Sequence, residues 1–320
     1  MRQAFCLAAT LSLPKWPVRW RILTYMPTAF LDHPGPLAFA HRGGAAHAPE
    51  NSWQAFEHAA GLGYGYLETD LQATADGVLL AFHDRTLARV TGQPGRISRL
   101  SYREVSAARI GGTEPIPVLE DLLAAWPGMR FNIDVKDASA IAPLPGVLRR
   151  TNAWDRVCVF SFSAARLRAT RRVLDRPVCL AASPLGAAAV RFGGPRGPRG
   201  PRDSRGPHRL PAPAGRPAGH PAGAPAPLAL PVRPSAALAE RMTRAGVRCV
   251  QVPASVATEP FLGRAHALGL QVHAWTVNDP AVMAGLLDLG VDGIMSDQTV
   301  ALRDVLAARG QWHPRVAAGG

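Results

Sequence analysis

Eight short, β-rich apolar runs recur along this chain, and stretches with helical apolar spacing separate them. The runs are LAFAH (37 to 41), YLETDL (66 to 71), FNIDVK (131 to 136), VCVFSF (157 to 162), VCLAAS (178 to 183), RCVQV (248 to 252), QVHAWTV (271 to 277) and DGIMSD (292 to 297). Strand then helix, repeated eight times, predicts a parallel (β/α)8 barrel in preference to an open doubly wound sheet. The helix starts carry their own signals. Ser52 precedes WQAFEHAAGLG, Ser163 precedes AARLRATRRVL, and Asp279 with Pro280 opens AVMAGLLDLG. Serine and aspartate accept from otherwise unpartnered N–H groups of a first turn, where proline is also tolerated. One further strand, GVLLAFHD (77 to 84), follows the turn ADG and is expected to pair with the second run as a local hairpin.

Residues 191 to 234 differ in kind, with 12 prolines and 8 glycines in 44 positions. Such a composition blocks both helix and ladder, so the segment is expected to be a disordered insertion in a barrel loop. It also explains the formal net charge of +13. Residues 1 to 25 contribute +4 and the insertion +7, which leaves about +2 for everything else. The folded part is nearly neutral, and nucleic acid is not an expected partner. Residues 1 to 25 read as an extension, with Met26 an alternative start. No cleavage site of small residues follows the apolar run near the N-terminus, and no segment reaches the ~18 apolar residues of a membrane span. Cys158, Cys179 and Cys249 lie inside strand runs and, with Cys6, read as reduced thiols rather than a disulfide framework. A cytoplasmic protein without stable membrane insertion is expected.

Barrels place their chemistry at the C-terminal ends of strands, and polar residues stand there. Glu68 and Asp70 are two apart in one strand, so both carboxylates project from one face. Asp134 and Lys136 repeat that spacing at the end of the next barrel strand. A lone ExD pair also fits an exposed strand edge, but three carboxylates on neighbouring strands form an all-oxygen set suited to Ca²⁺ or Mg²⁺. His41 ends the first strand and His83 ends the hairpin strand. Two histidines beside a metal site fit the base and the acid that phosphodiester cleavage requires. Arg42 and Lys136 would neutralise the phosphate. His273 reads as an interior structural residue, His47 as solvated, and Asp297 either lines the site mouth or caps the helix from Thr299.

In chain order, HRG, PEN, ETD, DG, HD, NIDVK, WTVN and DGIMSD resemble the motifs of the glycerophosphodiester phosphodiesterase family, within the phospholipase C-like phosphodiesterase superfamily of TIM barrels. The resemblance spans about 36 to 309, interrupted by the insertion. It implies hydrolysis of a glycerophosphodiester to glycerol 3-phosphate and an alcohol with a divalent cation, a cyclic phosphate being one route. It also implies His41 and His83 as acid and base, and Glu68, Asp70 and Asp134 as metal ligands. Arg42 and Lys136 would contact phosphate, Glu50 would order the site, and Trp275 would form its apolar wall. Asp134 stands where glutamate is commoner, and Ser52 where threonine is usual. Two other readings remain: a lysophospholipase D or phospholipase C-like lipid phosphodiesterase, and a non-catalytic barrel with a basic interaction arm.

Overall fold

Each of the eight barrel runs forms a strand, and the strands close on one another. A computed structural model describes residues 29–192 and 235–315 of the chain. The strands are β1 (Leu37–Ala40), β2 (Tyr66–Ala73), β3 (Leu79–Ala81), β4 (Arg130–Val135), β5 (Val157–Phe160), β6 (Cys179–Ala182), β7 (Val247–Pro253), β8 (Gln271–Trp275) and β9 (Gly293–Ser296). Eight of them are parallel neighbours around a ring, and β1 closes it by pairing with β9 on one side and β2 on the other. β3 is the expected hairpin partner, antiparallel to β2 with Leu71 opposite Ala81.

The caps act where the sequence placed them. Ser52 accepts from Ala55 N at the start of the helix Trp53–Gly61, and Ser163 accepts from Arg166 N. Asp279 accepts from Ala281 N and Val282 N, with Pro280 at the first helical position. Among the described residues, no helix is long and apolar enough to cross a membrane.

Alternation along the strands sorts the core into two. Residues such as Leu67, Leu71, Ile133, Val159, Val250 and Val272 face outward and bury against the helices. Phe39, Tyr66, Cys158, Phe160, Cys179, Cys249 and Met295 fill the barrel interior. A third cluster, including Leu80, Phe82, Leu87, Ile97 and Ile116, packs under the segment after the hairpin and gives it a small core of its own.

The fold reaches beyond the expected limits of 36 and 309 at both ends. Phe30 lies 5.4 Å edge-on to Tyr66, whose hydroxyl donates to Phe30 O at 2.9 Å, closing the N-terminal end of the barrel. Trp312 packs 5.1 Å from Tyr64 at the same end. An aromatic ring left in water there would forfeit roughly 1.5–3 kcal/mol of burial, a sufficient reason for the ends to fold back. The insertion begins later than composition indicated, because Arg191 and Phe192 complete the helix Pro184–Phe192. The rest of it and the 1 to 25 extension lie outside the described residues.

His273 is interior, as expected, with no accessible surface. Its Nε2–H donates to Gln271 Oε1 at 3.1 Å, while Nδ1 has no hydrogen-bond partner. Burial holds the ring neutral and lowers its pKa from 6.5 to about 4. As pH falls through that window the unfolded chain takes up a proton that the folded chain refuses, so stability is lost on acidification. At ~1.36 kcal/mol per pK unit, wild type should lose about 2–3 kcal/mol more than His273→Met between neutral pH and about pH 4.5. Urea denaturation of both proteins at the two pH values measures this; equal losses would remove His273 as the cause.

Candidate active site

All nine sequence-predicted site residues gather at the C-terminal end of the barrel strands. They do so through three networks. The first surrounds the turn after β1. Arg42 adopts φ +51°, a left-handed conformation unusual for a residue with a side chain. Such a position costs of order 1–3 kcal/mol unless its surroundings hold it. Here the Arg42 N–H donates to Glu68 Oε2 at 3.0 Å, and Arg42 O accepts from Asn51 N at 2.9 Å. Gly43 follows at φ +83°, where a Cβ would come within 2.8 Å of Ala55 Cβ, so only glycine lets the turn seat on the helix Trp53–Gly61.

The second network fixes the carboxylates. Asp70 and Asp134 stand opposite each other on β2 and β4, and both are buried with Glu68. Lys136 Nζ lies 2.8 Å from Asp70 Oδ1 and 2.6 Å from Asp134 Oδ2. Arg42 Nε lies 3.2 Å from Asp70 Oδ2, to which Asn51 Nδ2 also donates at 3.0 Å. Burial opposes charge on Asp70, but Lys136 and Arg42 outweigh it and hold its pKa below the ordinary value. The other two go the opposite way: burial, with the Asp70 charge beside it, pushes Glu68 up to about 7, and burial raises Asp134. Asp134 Oδ1 is buried without a hydrogen-bond partner.

The third network orients the two histidines. His41 Nδ1 bonds to Asp297 Oδ1 at 2.7 Å, and its Nε2 lies 3.8 Å from Glu68 Oε2. His83 Nδ1 bonds to Asp84 Oδ1 at 2.6 Å. An ionised carboxylate only accepts, so Nδ1 carries the proton in each ring and Nε2 is left for chemistry. Burial opposes charge on His41, yet Glu68 and Asp297 raise its pKa above the ordinary value. Trp275 forms a wall with Phe162, edge to face at 5.5 Å, and Lys136 lies 5.3 Å over the Phe162 ring.

Several contributors were not singled out from sequence. Asn51, the last residue of PEN, bridges Asp70 and Thr69, whose hydroxyl donates to Asn51 Oδ1 at 2.7 Å. Asn278, within WTVN, donates to Asp297 Oδ2 at 2.9 Å. Asp297 itself had two readings. The structure gives it to His41, since the helix Thr299–Ala308 has no side-chain cap. Glu50 accepts from Arg42 and from Arg89, a residue that no motif indicated. His47 is exposed and rests on His58, with ring centroids 4.9 Å apart.

The carboxylates fit a hard divalent cation by chemistry. They are all-oxygen donors, one of their oxygens lacks any partner, and burial raises Glu68 and Asp134 even with Lys136 beside them. In the present arrangement the Lys136 ammonium is the cation between Asp70 and Asp134. Among the described residues, three ligand-type atoms lie within 4.8 Å of one another only at Cys158, Cys179 and Cys249. Those thiols are reduced and buried. Burial raises Cys158 well above the ordinary thiol range, so it packs as a protonated, small apolar side chain, as its place in a strand run indicated.

The chain is also similar to proteins of known kind. The model of the glycerophosphoryl diester phosphodiesterase family matches residues 41–182 and 229–301, two stretches that contain every residue of the three networks. The chain belongs to that family. A Mycobacterium tuberculosis (strain ATCC 25618 / H37Rv) relative named "Probable glycerophosphodiester phosphodiesterase 2" is 43% identical over 289 residues, covering 88% of this chain and 95% of the relative. A lysophospholipase D of Rattus norvegicus is 32% identical over 159 residues, covering 42% of this chain and 47% of that protein. An Oleispira antarctica phosphodiesterase, solved in complex with the product sn-glycerol-3-phosphate, superposes with a TM-score of 0.63 at 20% identity. That match covers 85% of this chain and 97% of the other, and it establishes the shared barrel of this glycerophosphoryl diester phosphodiesterase family member.

Asp297→Asn removes one of the two carboxylates that raise the His41 pKa. A titration of the His41 ring followed by NMR should therefore give a lower pKa in the variant than in wild type. An unchanged value would mean that Asp297 does not act on the ring.

Proposed function

We propose that this protein hydrolyses glycerophosphodiesters to glycerol 3-phosphate and a free alcohol, with His41 and His83 exchanging the protons. One observation carries this reading. Two imidazoles, each bonded through Nδ1 to its own carboxylate, stand at the barrel mouth with Arg42 and Lys136 at the same end. Cleavage breaks the bond between phosphorus and the alcohol oxygen as an attacking oxygen bonds to phosphorus. One histidine takes the proton from the attacking oxygen, and the other gives a proton to the departing alkoxide. Arg42 and Lys136 bind the phosphate oxygens. Glu50 keeps the Arg42 guanidinium in place with a 3.1 Å hydrogen bond. Trp275 and Phe162 receive the apolar part of glycerol or head group.

Glu68, Asp70 and Asp134 would hold a divalent cation, Ca²⁺ or Mg²⁺, which when bound supplies positive charge to the phosphoryl oxygens. The 43% identity to the Mycobacterium relative over nearly all of both chains supports the activity. A second reading, lysophospholipase D activity, is favoured by Phe162, which is 48% exposed next to Trp275 and offers apolar surface to an acyl chain. Choline release from glycerophosphocholine, with coupled detection of glycerol 3-phosphate, and choline release from lysophosphatidylcholine, with detection of lysophosphatidic acid, separate the two.

Exhaustive chelation, or Glu68→Ala, should abolish turnover while the circular dichroism spectrum stays that of the folded barrel. Full activity after chelation would remove the metal from the mechanism. His41→Ala and His83→Ala should each lower kcat by at least about a hundredfold, the scale of losing a general acid or base. Near-normal turnover by either variant on a substrate with a poor leaving group would show that its role is misassigned.

A further inference from the structure

Arg89 lies in the short helix Ala88–Thr91, away from every barrel strand. Its guanidinium forks two carboxylates at once. Nε and Nη2 donate to Asp84 Oδ2 and Oδ1 at 2.6 and 3.2 Å. Nη1 and Nη2 donate to Glu50 Oε2 and Oε1 at 2.9 and 2.6 Å. Each carboxylate holds a second partner: Asp84 Oδ1 bonds to His83 Nδ1 at 2.6 Å, and Glu50 Oε1 accepts from Arg42 Nη1 at 3.1 Å. We propose that Arg89 is a positioning residue that sets His83 and Arg42 in one fixed arrangement across the barrel mouth. The inference rests on the catalytic reading of His83 and Arg42 given above.

The His83 side chain is 33% exposed, so packing alone does not fix its ring. Its orientation follows Asp84, and the orientation of Asp84 follows Arg89. The two carboxylates come from separate segments, the loop after β1 and the segment after β3. Without a cation between them they would repel and part. A guanidinium suits this place because its planar edges donate in pairs, giving four hydrogen bonds to the two carboxylates. An ammonium has at most three donors in no fixed plane and could bridge them only through single contacts, as Lys136 does between Asp70 and Asp134. The Arg89 side chain is itself 49% exposed, so its removal opens no cavity in the core. The side-chain bonds to Arg89 hold Asp84 ionised down to about pH 2, which keeps the acceptor of His83 charged at any working pH.

The test uses the full chain with glycerophosphocholine. Arg89→Ala should lower kcat by about ten- to a hundredfold with a smaller change in KM, the scale expected when a catalytic group is misplaced by a fraction of an ångström to about one. Arg89→Lys should recover little, and added guanidinium ion should restore part of the Arg89→Ala activity. In a His83→Ala background, Arg89→Ala should have much less effect on kcat than in wild type. A downfield NMR signal from the His83 Nδ1 proton should be present in wild type and lost or broadened in Arg89→Ala. Wild-type kinetics in Arg89→Ala, effects that multiply in the double variant, or an unchanged proton signal would each overturn the proposal. The NMR arm does not depend on turnover. If wild type cleaves no glycerophosphodiester, the catalytic reading falls while the proton signal still decides whether Arg89 positions His83.

Discussion

Three carboxylates buried at one end of a barrel are the constraint around which the rest of this site is arranged. Glu68, Asp70 and Asp134 are each nearly inaccessible to water. Unpaired, such charges cost several kcal/mol apiece, and a protein avoids that by pairing them or by shifting their pKa values. Both responses are present. Asp70 is paired with Lys136 and near Arg42, and it remains ionised. Burial pushes Glu68 up, and it raises Asp134 as well although Lys136 lies 2.6 Å from it. The site is thus short of positive charge, a condition that a cation or a cation-bound phosphate relieves.

That shortage explains why backbone strain is accepted at HRG. The left-handed turn at Arg42 brings its N–H to Glu68 and swings its guanidinium between Glu50 and Asp70. An extended conformation there would send the side chain elsewhere and leave Glu68 without that donor. Asn51, also at positive φ, performs a similar service, its amide fixing Asp70 on one side and Thr69 on the other. Losing a buried amide of this kind leaves partners unsatisfied at about 1–3 kcal/mol. Strain and buried polarity are concentrated at the strand ends where the fold puts its chemistry, while the outward faces of the same strands are aliphatic.

The fold was legible because its signals are local. Short β-rich apolar runs, serine and aspartate caps, and the turn before β3 each depend on a few neighbouring residues, and every strand formed where its run lay. The site was legible in part for the same reason: Glu68 and Asp70 share a strand, and Asp134 and Lys136 share another. Less visible were residues whose partners lie far off in sequence. Asp297 had an adequate local role as a helix cap, and only the closing of the ring brought it to His41, 256 positions earlier. Arg89 sits on a four-residue helix with no periodic pattern, and its two carboxylates are five and 39 positions away.

The amino-acid sequence by itself determined the number and order of the strands, the hairpin, the acidic and imidazole groups, and the ends of the strands at which they stand. Those follow from short-range sterics, capping and alternation. The tertiary structure decided which of these groups touch: that Lys136 lies between Asp70 and Asp134, that Asp297 rather than solvent faces His41, and that Phe30 and Trp312 close the opposite end. Such contacts depend on the register and closure of eight strands. Burial then sets the charge of each group, because the cost of a carboxylate depends on the whole shell of atoms around it and not on its neighbours in the chain.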